Sequence, residues 1–249
     1  MIMTIASREV RSLFLSPLAW SILAVVQFIM GYLFLGQLDL FLQIQSRLVA
    51  MNDAPGITEI VVTPIFANAA MILLLVIPLI TMRLISEEKR TQTLTLLLSA
   101  PVSITEIVLG KFIGIMFFIL IMLLLMALMP LSLLAGGTLD YGMVASAFLA
   151  LLLLLASFAS AGLFMSTITN QPTIAAISTF GLLLLLWIID WSADFAKADT
   201  VLSYLSLLNH YRPLLEGIFK SSDIIYYLLF IITFLTLSIR RLNADRLQH

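Results

Sequence analysis

The sequence contains no cysteine and only two histidines. Disulfides, thiolate metal sites and thiol nucleophiles are thereby excluded. The histidines, His210 and His249, fall in a loop and at the last position, and neither pairs with a second ligand at i, i+4, so both read as structural or solvated. Charge is scarce as well: 11% of residues are charged, against about 25% in a soluble domain. With 61% hydrophobic residues, the chain has too little polar surface to face water, which makes it a membrane protein. The net charge of −1 says nothing about nucleic acid; for a membrane protein, no nucleic-acid partner is expected. No G-x-x-x-x-G-K-[ST] stretch occurs, so the chain does not hold ATP in the P-loop manner. Met1 to Ser16 lacks a short apolar core with a small-residue cleavage site, and no cleavable signal is expected there.

What is present is a series of long apolar runs. A membrane helix needs about 20 apolar residues. Six segments qualify, near Leu18–Leu38, Val61–Met82, Ile107–Leu134, Tyr141–Met165, Thr173–Trp191 and Ile224–Ile239. An even number puts both termini on one side. Arg8, Arg11, Arg83, Lys89, Arg90, Lys111, Arg240, Arg241 and Arg246 share that side, and only Arg47, Lys197, Arg212 and Lys220 fall opposite. By the positive-inside rule the termini are cytoplasmic.

The spans carry no ionisable residue near their centres, which disfavours an ion-coupled transporter and an intramembrane protease. Asp140 and Asp190 read as interfacial. The small and hydroxyl residues of the fourth span, Ala156, Ser157, Ala159, Ser160, Ala161, Gly162, Ser166 and Thr167, read first as a close-packing face. The polar turn Ser166–Pro172 is a connection or a second, smaller contact with a partner. Residues 192–223 form an outer loop in which Val201–Leu208 and Pro213–Phe219 are expected to be short helices, broken at Asn209 and Pro213.

Two cytoplasmic stretches stand out. In residues 1–17, Ile2, Ile5, Ala6, Val10, Leu13 and Phe14 gather on one side of a helical wheel, with Arg8 and Arg11 opposite and Glu9 intruding near the apolar arc. This fits an amphipathic interfacial helix ended near Pro17, or the charged flank of the first span. The second stretch, Ile85 to Lys111, is the one densely charged interruption between two apolar segments. Ser86 is placed to cap a helix with Glu87 and Glu88 in its first turn, Leu94, Leu97 and Leu98 make a stripe at i, i+3, i+4, and Pro101 stops it. Ser103 and Glu106 then form a capping box that opens the third span. Lys111 is expected to snorkel to the inner headgroups. Spacing alone fits an ordinary cytosolic loop equally well.

The run E-E-K-R-T-x-T-L-x-L-L-L-x-A-P-V-S-x-x-E-I-x-L-G-K resembles the cytoplasmic segment of ABC-2 type transporter permeases. The family often has glycine where this chain has Gln92, and an acidic residue where it has Thr95. R-E-V-R-S-L-F-L-S-P-L-A-W resembles the N-terminal elbow of the gliding-motility and nitrous-oxide-reductase-maturation branch.

The resemblance implies an all-α membrane fold of the ABC-2, type V exporter-like architecture, with residues 1–249 as one permease domain. Residues 1–17 would be the elbow helix (Arg8, Glu9, Arg11, Phe14 and Pro17), 85–102 the coupling helix and 192–223 an extracytoplasmic helical loop. Glu87, Glu88, Lys89, Arg90, Thr91, Thr93, Leu94, Leu97 and Leu98 would engage an ATPase, with the charged residues nearest its rim. The chain would not itself be an enzyme. Two ATPase subunits would bind ATP and Mg, and this chain would carry no cofactor. A second permease chain, the same or related, would complete the transporter, surrounded by membrane lipid. The setting would be the bacterial cytoplasmic (inner) membrane. The implied task is export of an amphiphilic or lipid-like substrate. The alternative is a non-transporting scaffold that transmits force to an auxiliary extracytoplasmic protein.

Overall fold

The computed structural model describes residues 1–48, 56–94, 102–135, 139–196 and 206–247. Every regular element among them is helical. In chain order these are α1 (Ile2–Leu15), α2 (Pro17–Leu48), a π-helical turn (Thr58–Val62) leading into α3 (Thr63–Thr81), the short α4 (Ser86–Arg90), α5 (Ile104–Ser132), α6 (Tyr141–Ile168), α7 (Pro172–Ala196), α8 (Leu207–Leu215) and α9 (Ser221–Leu247). Six helices are long and apolar enough to span a membrane: Pro17–Gln45, Thr58–Arg90, Ile104–Ser132, Tyr141–Ile168, Pro172–Ile189 and Ser221–Arg246. The protein is an all-helical, multi-pass membrane protein.

The fourth span, α6, is the hub. It packs on α3, α5, α7, α8 and α9, and 67% of its most apolar window is buried, against 28% for the first span and 22% for the fifth. Its small residues explain the placement. Ser157, Ala159, Ser160, Ala161 and Thr167 are all fully buried. A Cβ on Gly162 would come 2.1 Å from Thr81 Oγ1, so only glycine lets α3 cross α6 this closely. Thr81 turns its own hydroxyl back to Ile77 O at 3.0 Å, satisfying a polar group inside the contact.

The N-terminal helix α1 lies along the start of α5. A Cβ on Gly110 would meet Ile5 Cβ at 2.7 Å, and one on Gly114 would meet Glu9 Cβ at 2.8 Å. The two glycines sit four residues apart on one face of α5 and let α1 lie against its backbone. Ser16 breaks α1 with extended backbone, φ −82° and ψ 128°, and Pro17 opens α2, a position where its missing N–H costs nothing. The corner is braced by Phe14, whose ring meets Phe118 in a tilted contact at 5.5 Å and Trp20 edge-on at 5.8 Å. Trp20 Nε1 donates to Phe14 O at 2.8 Å.

At the end of the bundle away from the termini, α8 differs from the sequence expectation. One helix, Leu207–Leu215, runs through Asn209 and Pro213 instead of breaking at them, while Val201 to Leu205 lie outside the described residues. Ser206 supplies the cap, accepting from Asn209 N. Leu207, His210, Tyr211, Leu214 and Leu215 recur at helical spacing and are all buried, and this packing outweighs the one backbone bond that Pro213 lacks. Tyr211 Oη donates to Phe66 O at 2.8 Å and Tyr227 Oη to Leu207 O at 2.7 Å. Burial pushes the Tyr211 phenol pKa up, so it remains a neutral donor. His210 is structural: Nδ1 lies 2.8 Å from Asp223 Oδ1, both residues are buried, and its ring stacks on Tyr226 at 4.1 Å. Asp140 caps α6, accepting from Gly142 N at 2.9 Å.

Candidate coupling surface

The candidate site lies at the end of the bundle that carries both termini. Its local structure starts with α4. The sequence suggests Ser86 as cap, but the N-cap is Ile85 and no side chain of the segment itself caps the helix. The cap comes from 80 residues away. Ser166 Oγ accepts from Ile85 N at 3.0 Å and from Ser86 N at 2.9 Å, and donates to Met82 O at 3.1 Å. A hydroxyl has two acceptor sites and one donor, and all three are used. Ser86 Oγ instead donates back to Met82 O. Ser166 thus fixes the turn between α3 and α4 onto the end of α6.

The C-terminal end of α4 also differs from expectation. The helix stops at Arg90 rather than continuing to Pro101. Gln92 sits at φ 58°, in the left-handed region. Thr93 N donates to Glu88 O at 3.0 Å and Gln92 N to Lys89 O at 3.2 Å. These two bonds make a Schellman motif, with Gln92 at the position glycine usually fills. A fresh helical residue begins at Leu94, which is buried. Leu97 and Leu98, the rest of the expected stripe, lie outside the described residues.

The charged residues of the segment divide by direction. Glu87 is half-buried, while Arg90, Thr91 and Thr93 are exposed. Glu88 and Lys89 turn inward. Glu88 Oε1 accepts from Lys111 Nζ at 2.8 Å, and Lys111 Nζ also reaches Glu9 Oε2 at 3.3 Å. Lys111 therefore does not snorkel to headgroups: it is 3% exposed, held between two carboxylates from α1 and α4. This explains Glu9, whose place beside the apolar arc of α1 is the side facing α5. Lys89 Nζ binds Asp245 Oδ2 at 2.5 Å and Thr167 O at 2.5 Å. Asp245 in turn meets Arg241 at 3.5 Å.

The result is an ionic belt. Through Glu9, Lys111, Glu88, Lys89 and Asp245 it ties α1, α5, α4 and α9 together, with the last turn of α6 joined through Thr167 O. The third span opens beside it with the expected capping box: Ser103 Oγ accepts from Glu106 N at 3.2 Å, and Ser103 N donates to Glu106 Oε2 at 3.0 Å. Of the elbow residues, Glu9 and Phe14 make the contacts described, whereas Arg8 and Arg11 are exposed.

The belt holds the ends of these helices in fixed relation. Its carboxylates are bound to ammonium groups, and among the described residues no group of three potential metal ligands exists. The sequence pointed to Glu88 and Lys89 as surface residues. Nothing local in it showed that Lys111, Ser166 and Asp245 would be their partners, because each comes from a distant helix.

The fold is thus that of a multi-pass membrane protein with six helices able to span, in which a short polar segment is tied to the ends of several of them. The chain belongs to the ABC-2 family of transporter proteins, whose family model matches residues 3–247. No curated protein matches the sequence.

Proposed function

We propose that this chain is the permease subunit of an ABC transporter, driven by ATPase subunits that bind and hydrolyse ATP in trans. The observation that carries this reading is the ionic belt. A segment pushed from outside the membrane must be rigidly joined to the spans it moves, and α4 is joined directly to α5, α6 and α9 and, through Lys111, to α1. Family membership supports an ATPase partner and a second permease chain. In this reading Arg90, Thr91 and Thr93, which are exposed, and the segment after Leu94 meet the ATPase. Glu88 and Lys89 pass the displacement inward, and both termini and α4 are cytoplasmic. The distribution of Lys and Arg supports that orientation, in the inner membrane of a bacterium.

An amphiphilic cargo is supported by a groove of about 630 Å³ between α3 and α7, beneath α8. Met71, Leu75, Leu184 and Trp187 form its apolar walls, and Tyr211 and Arg212 lie at the α8 end. The similarity of the N-terminal residues to the gliding-motility and nitrous-oxide-reductase-maturation branch supports an auxiliary extracytoplasmic partner.

The test is co-expression with a candidate ABC ATPase from the same genome, followed by purification and mass measurement. Two permease chains with two ATPases are expected, and a permease that recruits no ATPase overturns the reading. Orientation is checked with single cysteines in this cysteine-free chain. Ser221→Cys is expected to react with a membrane-impermeant thiol reagent in intact cells, and Ser99→Cys to resist it.

A further inference from the structure

A second cavity, of about 400 Å³, opens where the first span begins, the second ends and α1 lies across them. Its apolar wall is Leu18 and Ala19 of α2 with Leu79 and Ile80 of α3. Its polar wall comes from α1, the turn after α3, and α4. Three cations, Arg8, Arg83 and Lys111, and three carboxylates, Glu9, Glu87 and Glu88, line it. Lys111 is committed to Glu9 and Glu88. Among the described residues, Arg8, Arg83 and Glu87 have no ion-pair partner, although they face one cavity.

The place and the charges constrain the occupant. The apolar wall is made of the terminal turns of two spans, which is the depth where acyl chains meet headgroups. Two guanidinium groups on separate elements are suited to a phosphate, which they bind through charge-assisted hydrogen bonds. The remaining carboxylate requires a donor. A cavity with balanced charge favours a headgroup of zero net charge over an anionic one. A primary ammonium offers three N–H donors to Glu87, whereas a quaternary ammonium offers none.

We propose that this cleft binds the headgroup of phosphatidylethanolamine, with the phosphodiester on Arg8 and Arg83 and the ammonium on Glu87. The lipid would fill the angle between α1 and the first two spans, next to the ionic belt. The proposal needs no ATPase and stands independently of the coupling reading.

The test uses the full-length chain in detergent, titrated with phosphatidylethanolamine, phosphatidylcholine or phosphatidylglycerol and read by native mass spectrometry. Phosphatidylethanolamine is expected to bind about tenfold more tightly than phosphatidylcholine, the scale of one charge-assisted hydrogen bond. Glu87→Gln is expected to remove that preference while leaving phosphatidylcholine binding unchanged. Arg8→Ala with Arg83→Ala is expected to weaken both lipids by about tenfold or more. Arg11→Ala, on the same helix but outside the cavity, is expected to change neither. Glycerophosphoethanolamine, the same headgroup without acyl chains, is expected to compete poorly. Equal retention of the three lipids, an unchanged preference in Glu87→Gln, or an equal loss in Arg11→Ala overturns the site. Competition by glycerophosphoethanolamine at parity overturns the lipid as its occupant.

Discussion

Lys111 Nζ of the third span lies 2.8 Å from Glu88 Oε1 of α4, and the lysine is 3% exposed. A buried ammonium costs desolvation energy, which the facing carboxylates offset. Removing it leaves Glu9 and Glu88 close together without a counter-charge. Lys111→Met is expected to destabilise the protein by about 3 kcal/mol, the lower end for breaking a buried pair, because the two carboxylates retain some water. The triple variant Lys111→Met, Glu9→Gln, Glu88→Gln is expected to recover most of that loss, since a neutral cluster has no stranded charge. Thermal unfolding of the purified protein measures both. Equal stability of Lys111→Met and wild type is the result that removes the belt from the account.

Ser166 gives an independent test of the same end of the bundle. Ser166→Ala leaves Ile85 N and Ser86 N without their acceptor, and both residues are fully buried. The expected cost is about 1–3 kcal/mol. Ser160→Ala is the control. Its hydroxyl donates only to Ser157 O within its own helix, whose carbonyl already serves the helical ladder, so its loss is expected to be smaller. Hydrogen exchange at the Ile85 and Ser86 amides is expected to rise in Ser166→Ala and stay unchanged in Ser160→Ala.

Gln92 occupies a left-handed position that costs a residue with a Cβ about 1 kcal/mol. Gln92→Gly is therefore expected to stabilise the turn after α4 by up to that amount, and Gln92→Val to destabilise it, because β-branched side chains tolerate positive φ least. Exchange protection of the Thr93 amide, which donates to Glu88 O, reports the turn directly. Slower exchange in Gln92→Val than in Gln92→Gly contradicts the assignment.

The six spans were legible because membrane insertion is decided by long local averages of hydropathy, which the sequence displays openly. The capping box at Ser103 and Glu106 was legible for the same reason: its partners lie three residues apart. What could not be read is whatever depends on a distant helix. Lys111 carries the marks of a snorkelling residue until α1 is placed on Gly110 and Gly114, which brings Glu9 over it. Ser86 had every local mark of a cap until Ser166 took the position. The helix through Pro213 was hidden because a tertiary stripe of buried residues outweighed a local helix breaker. At Gln92 the family's frequent glycine was the available clue, and its reason is the positive φ.

Contact with an ATPase and internal packing are separable at the leucines that follow α4. Leu94 is 8% exposed and belongs to the main apolar core, so Leu94→Ala carries a packing cost of about 2–5 kcal/mol on its own. Combined with Leu97→Ala it is expected to weaken ATPase association or uncouple hydrolysis from function, since apolar anchors at such contacts commonly contribute more than about 1 kcal/mol. Measuring unfolding and ATPase co-purification on the same variants distinguishes the two effects. Leu97→Ala alone with normal stability and reduced recruitment marks a contact residue. Charge reversal at Glu87, which has no ion-pair partner among the described residues, is expected to have a small effect that fades with salt. The same reversal at Glu88 is not expected to be mild. It would place a lysine against Lys111, repelling the group it now holds at 2.8 Å, and lower stability with or without the ATPase present. Equal, salt-sensitive behaviour of the two reversals would mean that Glu88 faces the partner rather than the third span. Wild-type recruitment and activity in the stable double-leucine variant would mean that the segment around Leu94 does not couple to an ATPase at all.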